Sequence, residues 1–433
     1  MENLNNTGPA VVSGWVSSPN TRGTMDIIWS SFLTIFLCTW TAVSLNIPHP
    51  HDSKYDIFCR KAKWMFWAIV GPEIVLAVAI GQFASARRSV KRFRSLGYNI
   101  WTVRHAESTP FLVNSRQLAY LVEKEYVQFP NITAEDIWDK SKADTLAKIM
   151  TLVQASWLVI QLLGRAVLGL STTTLELSAG AILFCTFGTF VCWSHKPTDV
   201  QKGIVLTCEA TTAQILMEAG EAAAEPYKHT PLDFVAKQSF TCGYDVMRFF
   251  NLRCDNPERP LRRFPNDRFP DICTWEKFAL FCMTSAYAAT HMIPWKLAFP
   301  TRQEKMLWRI SALIFTCVTV FFWVFETVAV RQRFGRWDKY LIWLRLKKPT
   351  ECVAADEEAP PKRVRTVDQL DAFEREQQNA KPLLVWEVGL LLPIVALYVL
   401  ARAYMIVEVF VSLREVPKEV YQTFELADVL PHW

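Results

Sequence analysis

The chain contains no CxxC pair, no Cys/His cluster and none of the HExxH, P-loop, GxSxG or dinucleotide fingerprints. Zinc, nucleotide-triphosphate, serine-hydrolase and dinucleotide chemistry thus lack their usual signatures. The eleven cysteines are scattered, and Cys38, Cys185, Cys192 and Cys317 fall inside apolar runs, where they read as packing residues. His49 and His51 flank Pro50 in a short loop, a poor start for a four-ligand metal site. No metal and no cofactor is expected. Residues 1–25 lack the basic stretch, short apolar core and cleavage site of a secretory signal. The first apolar helix is then its own targeting signal, and the endoplasmic reticulum is the expected membrane. The net charge of +5 gathers at the ends of apolar runs and calls for no nucleic-acid partner.

What the chain does have is apolar length. Seven stretches, at residues 27–47, 64–83, 149–170, 175–194, 275–295, 307–330 and 383–411, approach or exceed the roughly 20 residues that span about 30 Å of hydrocarbon. They predict an all-α, polytopic integral membrane bundle of about seven helices, with six to eight allowed, in one transmembrane domain over residues 1–433. The third stretch carries Gln154, Gln161 and Arg165 and has a second reading as a buried or re-entrant helix. Residues 85–148, 195–274 and 331–382 read as cytosolic loops or small helical caps.

The basic segments 84–96 and 331–348 belong on the cytosolic side by the positive-inside rule. Seven spans then put the N-terminus in the cytosol and the C-terminus across the membrane, against the pull of Lys54, Arg60, Lys61 and Lys63 in the first loop. In that topology the sequons at Asn5 and Asn131 are both cytosolic chance matches. Residues 336–345 mix aromatic and basic side chains like a helix lying in the headgroup region, and 350–381 read as a charged, Pro-punctuated linker.

Ionisable groups inside apolar runs carry the functional signal, because a charge at membrane depth costs several kcal/mol unless protonated, paired or hydrated. Glu73 lies near the middle of the second run. Pro72 before it removes the backbone bond to the carbonyl of Ala68, so the helix should kink or open beside the acid. Tyr287, His291 and Trp295 share one face at four-residue spacing, and Gln154, Trp157, Gln161 and Arg165 form a similar stripe. Trp323 and Glu326 lie three apart, and Arg402, Tyr404 and Glu408 close the last run. The His291 face and the Arg165 stripe are expected to meet in a shared interior, with pairing that merely fixes helix packing as the alternative. Many of the 17 Trp and 28 Phe lie inside the runs, among them Trp40, Trp67, Trp157, Phe281, Phe322 and Trp323. An aromatic cavity around one acid suits carbocation chemistry on an apolar substrate, since ring faces attract positive charge; helix packing is the plainer reading.

Several segments carry a resemblance. They are residues 14–30 (GWVSSPNTRGTMDIIWS), Leu45-Asn46-Ile47-Pro48, Pro72-Glu73, Trp193-Ser194-His195-Lys196-Pro197, Trp308-Arg309, Ala401-Arg402 with Glu408, and Pro431-His432. They resemble a large fungal family of integral membrane proteins, nearly over the full length. Members with an assigned role look like the membrane-bound terpene cyclases of ascochlorin, ascofuranone and macrophorin-type meroterpenoid pathways. The resemblance implies cyclisation of a farnesyl-type chain on an aromatic or quinone head, begun by protonating an epoxide or a terminal alkene. A buried carboxyl, whose ionised form is disfavoured, is a suitable general acid. Glu73 is the expected catalytic residue and Glu326 the second candidate, with Trp157, Gln161, Arg165, Tyr287, His291, Trp323 and Arg402 lining the substrate pocket. The partners are then a hydrophobic small molecule and the lipid bilayer. DDxxD and DxDD are absent, and residues 266–271 (NDRFPD) do not match prenyltransferase spacing, which disfavours diphosphate-dependent chemistry. The rival class is a transporter or sensor in which Glu73, Arg165 and Glu326 bind a ligand or relay protons, although no clear internal repeat supports a transporter.

Overall fold

The computed structural model describes residues 11–17, 22–46, 48, 52–95, 106–108, 111–128, 142–194, 196, 204–205, 208, 210–224, 230–235, 273–333 and 385–423. The expected headgroup helix at 336–345, the linker at 350–381, residues 266–271, His49, His51, Asn5 and Asn131 lie outside them. Most of the described chain is helical: α1 (Thr24–Ala42), α2 (Lys54–Val70), α3 (Pro72–Ser95), α4 (Ser115–Glu123), α5 (Lys142–Val167), α6 (Thr174–Trp193), α7 (Thr212–Ala219), α8 (Thr274–Thr290), α9 (Arg302–Arg333) and α10 (Val385–Val411). Among the described residues, strand is confined to β1 (Val11–Ser13), β2 (Ala106–Ser108), β3 (Phe111–Leu112), β4 (Ile204–Val205) and β5 (Glu415–Pro417). Reciprocal capping boxes start α2 at Ser53 and Asp56, and α6 at Thr173 and Glu176.

Among the described residues, five helices, α1, α5, α6, α9 and α10, contain stretches long and apolar enough to cross a membrane. The second apolar run, 64–83, is not one span. Its two halves belong to α2 and α3, which bend by 114° at Gly71. Pro72 causes this: it has no N–H to continue the ladder of α2, and its fixed φ suits the first position of a new helix. The expected kink is a complete break.

Helix α6 is the hub. It is apolar on every side, packs against α1, α2, α3, α5, α8 and α10, and turns Phe184, Phe187 and Val191 outward, as suits a helix that both packs and faces an apolar surrounding. Gly188 makes this possible at one crossing, where a Cβ would fall 2.7 Å from Met283 Cε and 2.9 Å from Leu76 Cδ1. Ile27, Leu76, Cys185, Leu280, Tyr287, Trp308, Phe315 and Met405 fill the core around it.

Both described ends of the chain lie on one face. β1 pairs antiparallel with β5, Val12 opposite Val416, and Gly14 N–H donates to Arg414 O at 2.8 Å. α1 runs antiparallel to α5, with Thr34 beside Gln154 and Cys38 beside the Thr151 carbonyl. α3 runs in the same direction as α6, with Leu76 beside Gly188 and Gln82 accepting from Trp193 Nε1 at 3.1 Å. Lys196 ties the exit of α1 to both, donating to Ser44 O, Asn46 Oδ1 and Gln82 Oε1 at 2.8, 3.0 and 2.9 Å. The α2–α3 pair therefore enters and leaves by the face where α1 ends. α8 has 17 residues and runs from the Arg88–Glu276 pair on that face to His291, which accepts from Arg402 at the depth of the helix break and whose carbonyl accepts from Trp308 Nε1. Among the described residues, five helices, or six if the bent α2–α3 pair counts as one span, are long and apolar enough to cross a membrane, where seven spans were expected, and the described ends lie on the same side of the bundle rather than on opposite sides. The lysines near the start of α2, the basic end of α3 and the end of α9 now share one face.

A buried polar latch holds the opposite face. Arg165, 1% exposed, donates to the carbonyls of Ser171, Glu419, Val420 and Gln422. Glu176, also 1% exposed, pairs with Arg22 and accepts from Thr173 N–H and Oγ1. Thr174 meets Ser412, and Thr24 meets Tyr421, through their hydroxyls at 2.7 and 3.2 Å. The N-terminal motif and the C-terminal segment are thus two halves of one closure.

Segments 85–148 and 195–274 do more than connect. Phe93, Val113, Leu118 and Leu121 from the first pack with Ile215 and Leu232 from the second in a small shared core, and β2 pairs in parallel with β4. Neither segment encloses a core by itself among the described residues.

Two predictions follow from this topology. Epitope tags at the two ends should become accessible together on permeabilising one side of sealed membranes; accessibility from opposite sides would restore an odd number of traverses. Glu176→Gln should leave Arg22 and Arg165 without their buried anion and destabilise the fold by about 3–5 kcal/mol, since breaking a buried ion pair from one side costs that much. The measurement is the thermal midpoint of purified protein in detergent.

Candidate functional site at the helix break

The break leaves two helix ends facing each other. The last carbonyls of α2 carry the negative end of its dipole and the first amides of α3 the positive end, roughly half a charge each. A cation and an acid of opposite preference occupy them. Arg402 of α10 donates from Nε to Val70 O at 2.8 Å and from Nη2 to Ile69 O at 3.3 Å. Glu73 lies in the first turn of α3. Its Oε1 accepts from the hydroxyl of Tyr398, while Oε2 is enclosed with no hydrogen-bond partner.

Tyr398 and Arg402 are four apart on α10 and so share a face. The third hydrogen bond of Arg402, from Nη1, goes to His291 Nε2 at 2.9 Å. An arginine can only donate, so Nε2 is the unprotonated nitrogen, and Nδ1–H is left to donate to Tyr287 O at 3.2 Å. The guanidinium carbon lies 5.6 Å from the ring centre of Tyr287 and 5.5 Å from that of Phe315, within cation–π range. Phe315 also packs on Tyr398 and His291, with ring centres 5.4 and 5.1 Å away. The Tyr287 hydroxyl is buried without a partner, and Cys185 of α6 is buried in the same core. The result is one acid, one fixed cation, two unpartnered polar atoms and three aromatic rings.

Of the expected site residues, Glu73, Tyr287, His291 and Arg402 come together. Trp323 is close behind, donating from Nε1 at 2.8 Å to Thr284, about one turn along α8 from Tyr287. The remaining candidates lie elsewhere. Glu326 is 3.8 Å from Lys277, about 20 Å along α8 from His291 by the rise per residue. Trp157 is 47% exposed on the outer side of α5, and Gln161 is half-buried one turn further on. Arg165 belongs to the latch, because its guanidinium is taken up by carbonyls of the α5–α6 turn and the C-terminal segment. The expected common interior of the α5 stripe and the His291 face is therefore corrected to two separate bonded groups. Trp295 supplies its carbonyl and ring to Arg309.

Sequence reasoning missed Tyr398 and Phe315. The four-residue spacing of Tyr398 and Arg402 was a usable signal. Phe315, one aromatic among many in an apolar run, had none.

Fold and site together define a mostly helical protein with several apolar helices long enough to cross a membrane and a polar centre at an interrupted helix. A model for a family of unknown function, DUF8562, matches residues 3–99, 116–224 and 277–433, and the chain belongs to that family. No curated protein and no solved structure matches it. The matched residues include every member of the Glu73–Arg402 group and of the latch.

The Glu73 environment makes a stability prediction. Tyr398→Phe keeps the ring and removes the hydroxyl, leaving a second carboxyl oxygen without its partner, and should cost about 1–3 kcal/mol. A thermal midpoint equal to wild type would show that the bond contributes nothing to the fold.

Proposed function

We propose that the protein is a membrane-bound terpene cyclase acting on a prenylated aromatic or quinone substrate, with Glu73 as the proton donor. The observation that carries the reading is the free Oε2 of Glu73, enclosed at the helix break on a carboxyl held by Tyr398, whose ring packs on Phe315 and through it on Tyr287. With Oε1 already engaged by Tyr398, Oε2 is the oxygen left to hold and deliver a proton. Transfer to an epoxide oxygen or a terminal alkene carbon starts a carbocation, which the neighbouring ring faces attract. The sequence resemblance supplies the reaction class, and the arrangement supplies an acid and a low-dielectric aromatic setting that such a reaction uses. The proposed membrane is the endoplasmic reticulum. The face bearing the basic ends of α3 and α9 is proposed as cytosolic, so both chain ends face the other side.

The interrupted α2–α3 pair also favours a second reading. Discontinuous helices whose ends point at charges are a recurring element of transporter binding sites. Uptake or efflux of a labelled ligand with no new product would identify that class.

Membranes from a host expressing the chain, supplied with prenylated aryl epoxides and alkenes, should form products isomeric with the substrate. Glu73→Gln preserves shape and removes the acid. It should insert and fold yet lose cyclisation by at least about 100-fold, the lower range for a general acid. Normal turnover by a folded Glu73→Gln protein eliminates Glu73 as the donor.

A further inference from the structure

We propose that Arg402 is a positioning residue that stabilises the charge left on Glu73 when its proton is transferred, and that His291 fixes Arg402 for that role. The inference rests on the reading of Glu73 as the proton donor.

Arg402 is buried, yet no carboxylate lies within ion-pair distance of it among the described residues; its partners are two carbonyls and an imidazole nitrogen. A buried cation without a contacting anion is costly. Here the carbonyl end of α2 offsets part of that cost, and the faces of Tyr287 and Phe315 offset more. Tyr398 joins the two groups through structure rather than charge: it holds Glu73 Oε1, and it stands one turn from Arg402 on α10. The cation is permanently charged, whatever the state of the acid. Its attraction for the Glu73 carboxyl is therefore weak while the proton is present and grows as the proton leaves. An interaction that strengthens along the reaction lowers the barrier, whereas one equal in both states does not.

In the step itself the Oε2–H bond breaks and its electron pair stays on Glu73. The proton bonds to the epoxide oxygen or alkene carbon, and the positive charge passes to the prenyl chain. After ring closure a C–H bond of the final cation breaks to form the product alkene, and that proton returns to the carboxylate. Atoms and charge balance with no oxidant, reductant or further reactant. His291 accepts from Nη1 and so cannot take a proton at Nε2 without losing Arg402, which assigns it to orientation rather than acid chemistry. The other titratable groups facing Glu73 are Tyr398 of α10, Tyr287 of α8 and Cys185 of α6.

The test uses full-length protein in membranes, comparing wild type, Arg402→Gln, Arg402→Lys and His291→Gln for initial rates across pH. Arg402→Gln should lower kcat about 100-fold or more, within the range for removing one transition-state stabiliser, with KM within about twofold of wild type. Its alkaline limb should move to higher pH, because a carboxyl without a nearby cation gives up its proton less readily. Arg402→Lys should recover part of kcat, and His291→Gln should fall between. Wild-type kcat and an unmoved alkaline limb in folded Arg402→Gln would overturn the inference. Activity in Glu73→Gln would instead overturn the donor assignment. A substrate-free arm follows the infrared band of the Glu73 carboxylic acid, isolated by subtracting Glu73→Gln. In Arg402→Gln that band should persist to higher pH, and an unchanged titration counts against the proposal; this readout also separates a charge effect from a folding defect.

Discussion

The arrangement depends on how Arg402 binds the carbonyl end of α2. An interrupted helix inside an apolar bundle exposes backbone groups that nothing around it can hydrate, and each must find a partner. Arg402 satisfies two of those carbonyls and brings a positive charge to the negative end of the dipole. With α2 ended in this way, α3 can begin at Pro72 and place Glu73 in its first turn. Without such a partner the break would be unfavourable, and with a continuous helix Glu73 would have no ready-made neighbours.

The rest of the bundle can be understood as support for that point. α6 packs against both α3 and α8, which also touch each other beside Gly188, so the faces bearing Glu73 and His291 are set by a common helix. α9 and α10 form the most extensive helix pair, and this pair brings Phe315 against Tyr398. At one face the latch of Arg22, Arg165 and Glu176 closes the chain ends around the helix termini. At the other, Lys196 gathers the exit of α1 against α3 and α6. These contacts give structural roles to residues within 14–17 and 22–30, to Asn46, and to Trp193 and Lys196 without assigning them to chemistry.

The sequence disclosed most of the helices and misjudged how they are joined. Apolar run length located α1, α6, α9 and α10 closely, because that signal is set by composition alone. It could not distinguish a 20-residue span from two half-helices meeting at Gly71, since both present the same apolar run to a sliding window. Strand pairing between Val12 and Val416 is more than 400 residues apart in sequence and left no local mark. At the site, Pro72 beside Glu73 was legible because proline has a definite backbone consequence, and Tyr287 with His291 was legible from helical spacing. Arg165 stayed open between a pocket and a packing role because the penalty for a charge in an apolar helix says only that it needs partners. It does not say whether these are a ligand or the carbonyls of Ser171 and Glu419.

The central claim is that the chain turns back inside the bundle at Gly71 and Pro72. Spin labels at Tyr55→Cys and Arg94→Cys, both exposed positions in the first turn of α2 and the last turn of α3, test it directly by pulsed dipolar distance measurement in a lipid bilayer, with the other exposed cysteines replaced. The 114° bend predicts a separation near 30 Å from helix rise. A continuous helix through residues 55–94 predicts a separation of about 60 Å, and a distribution centred there would contradict the account.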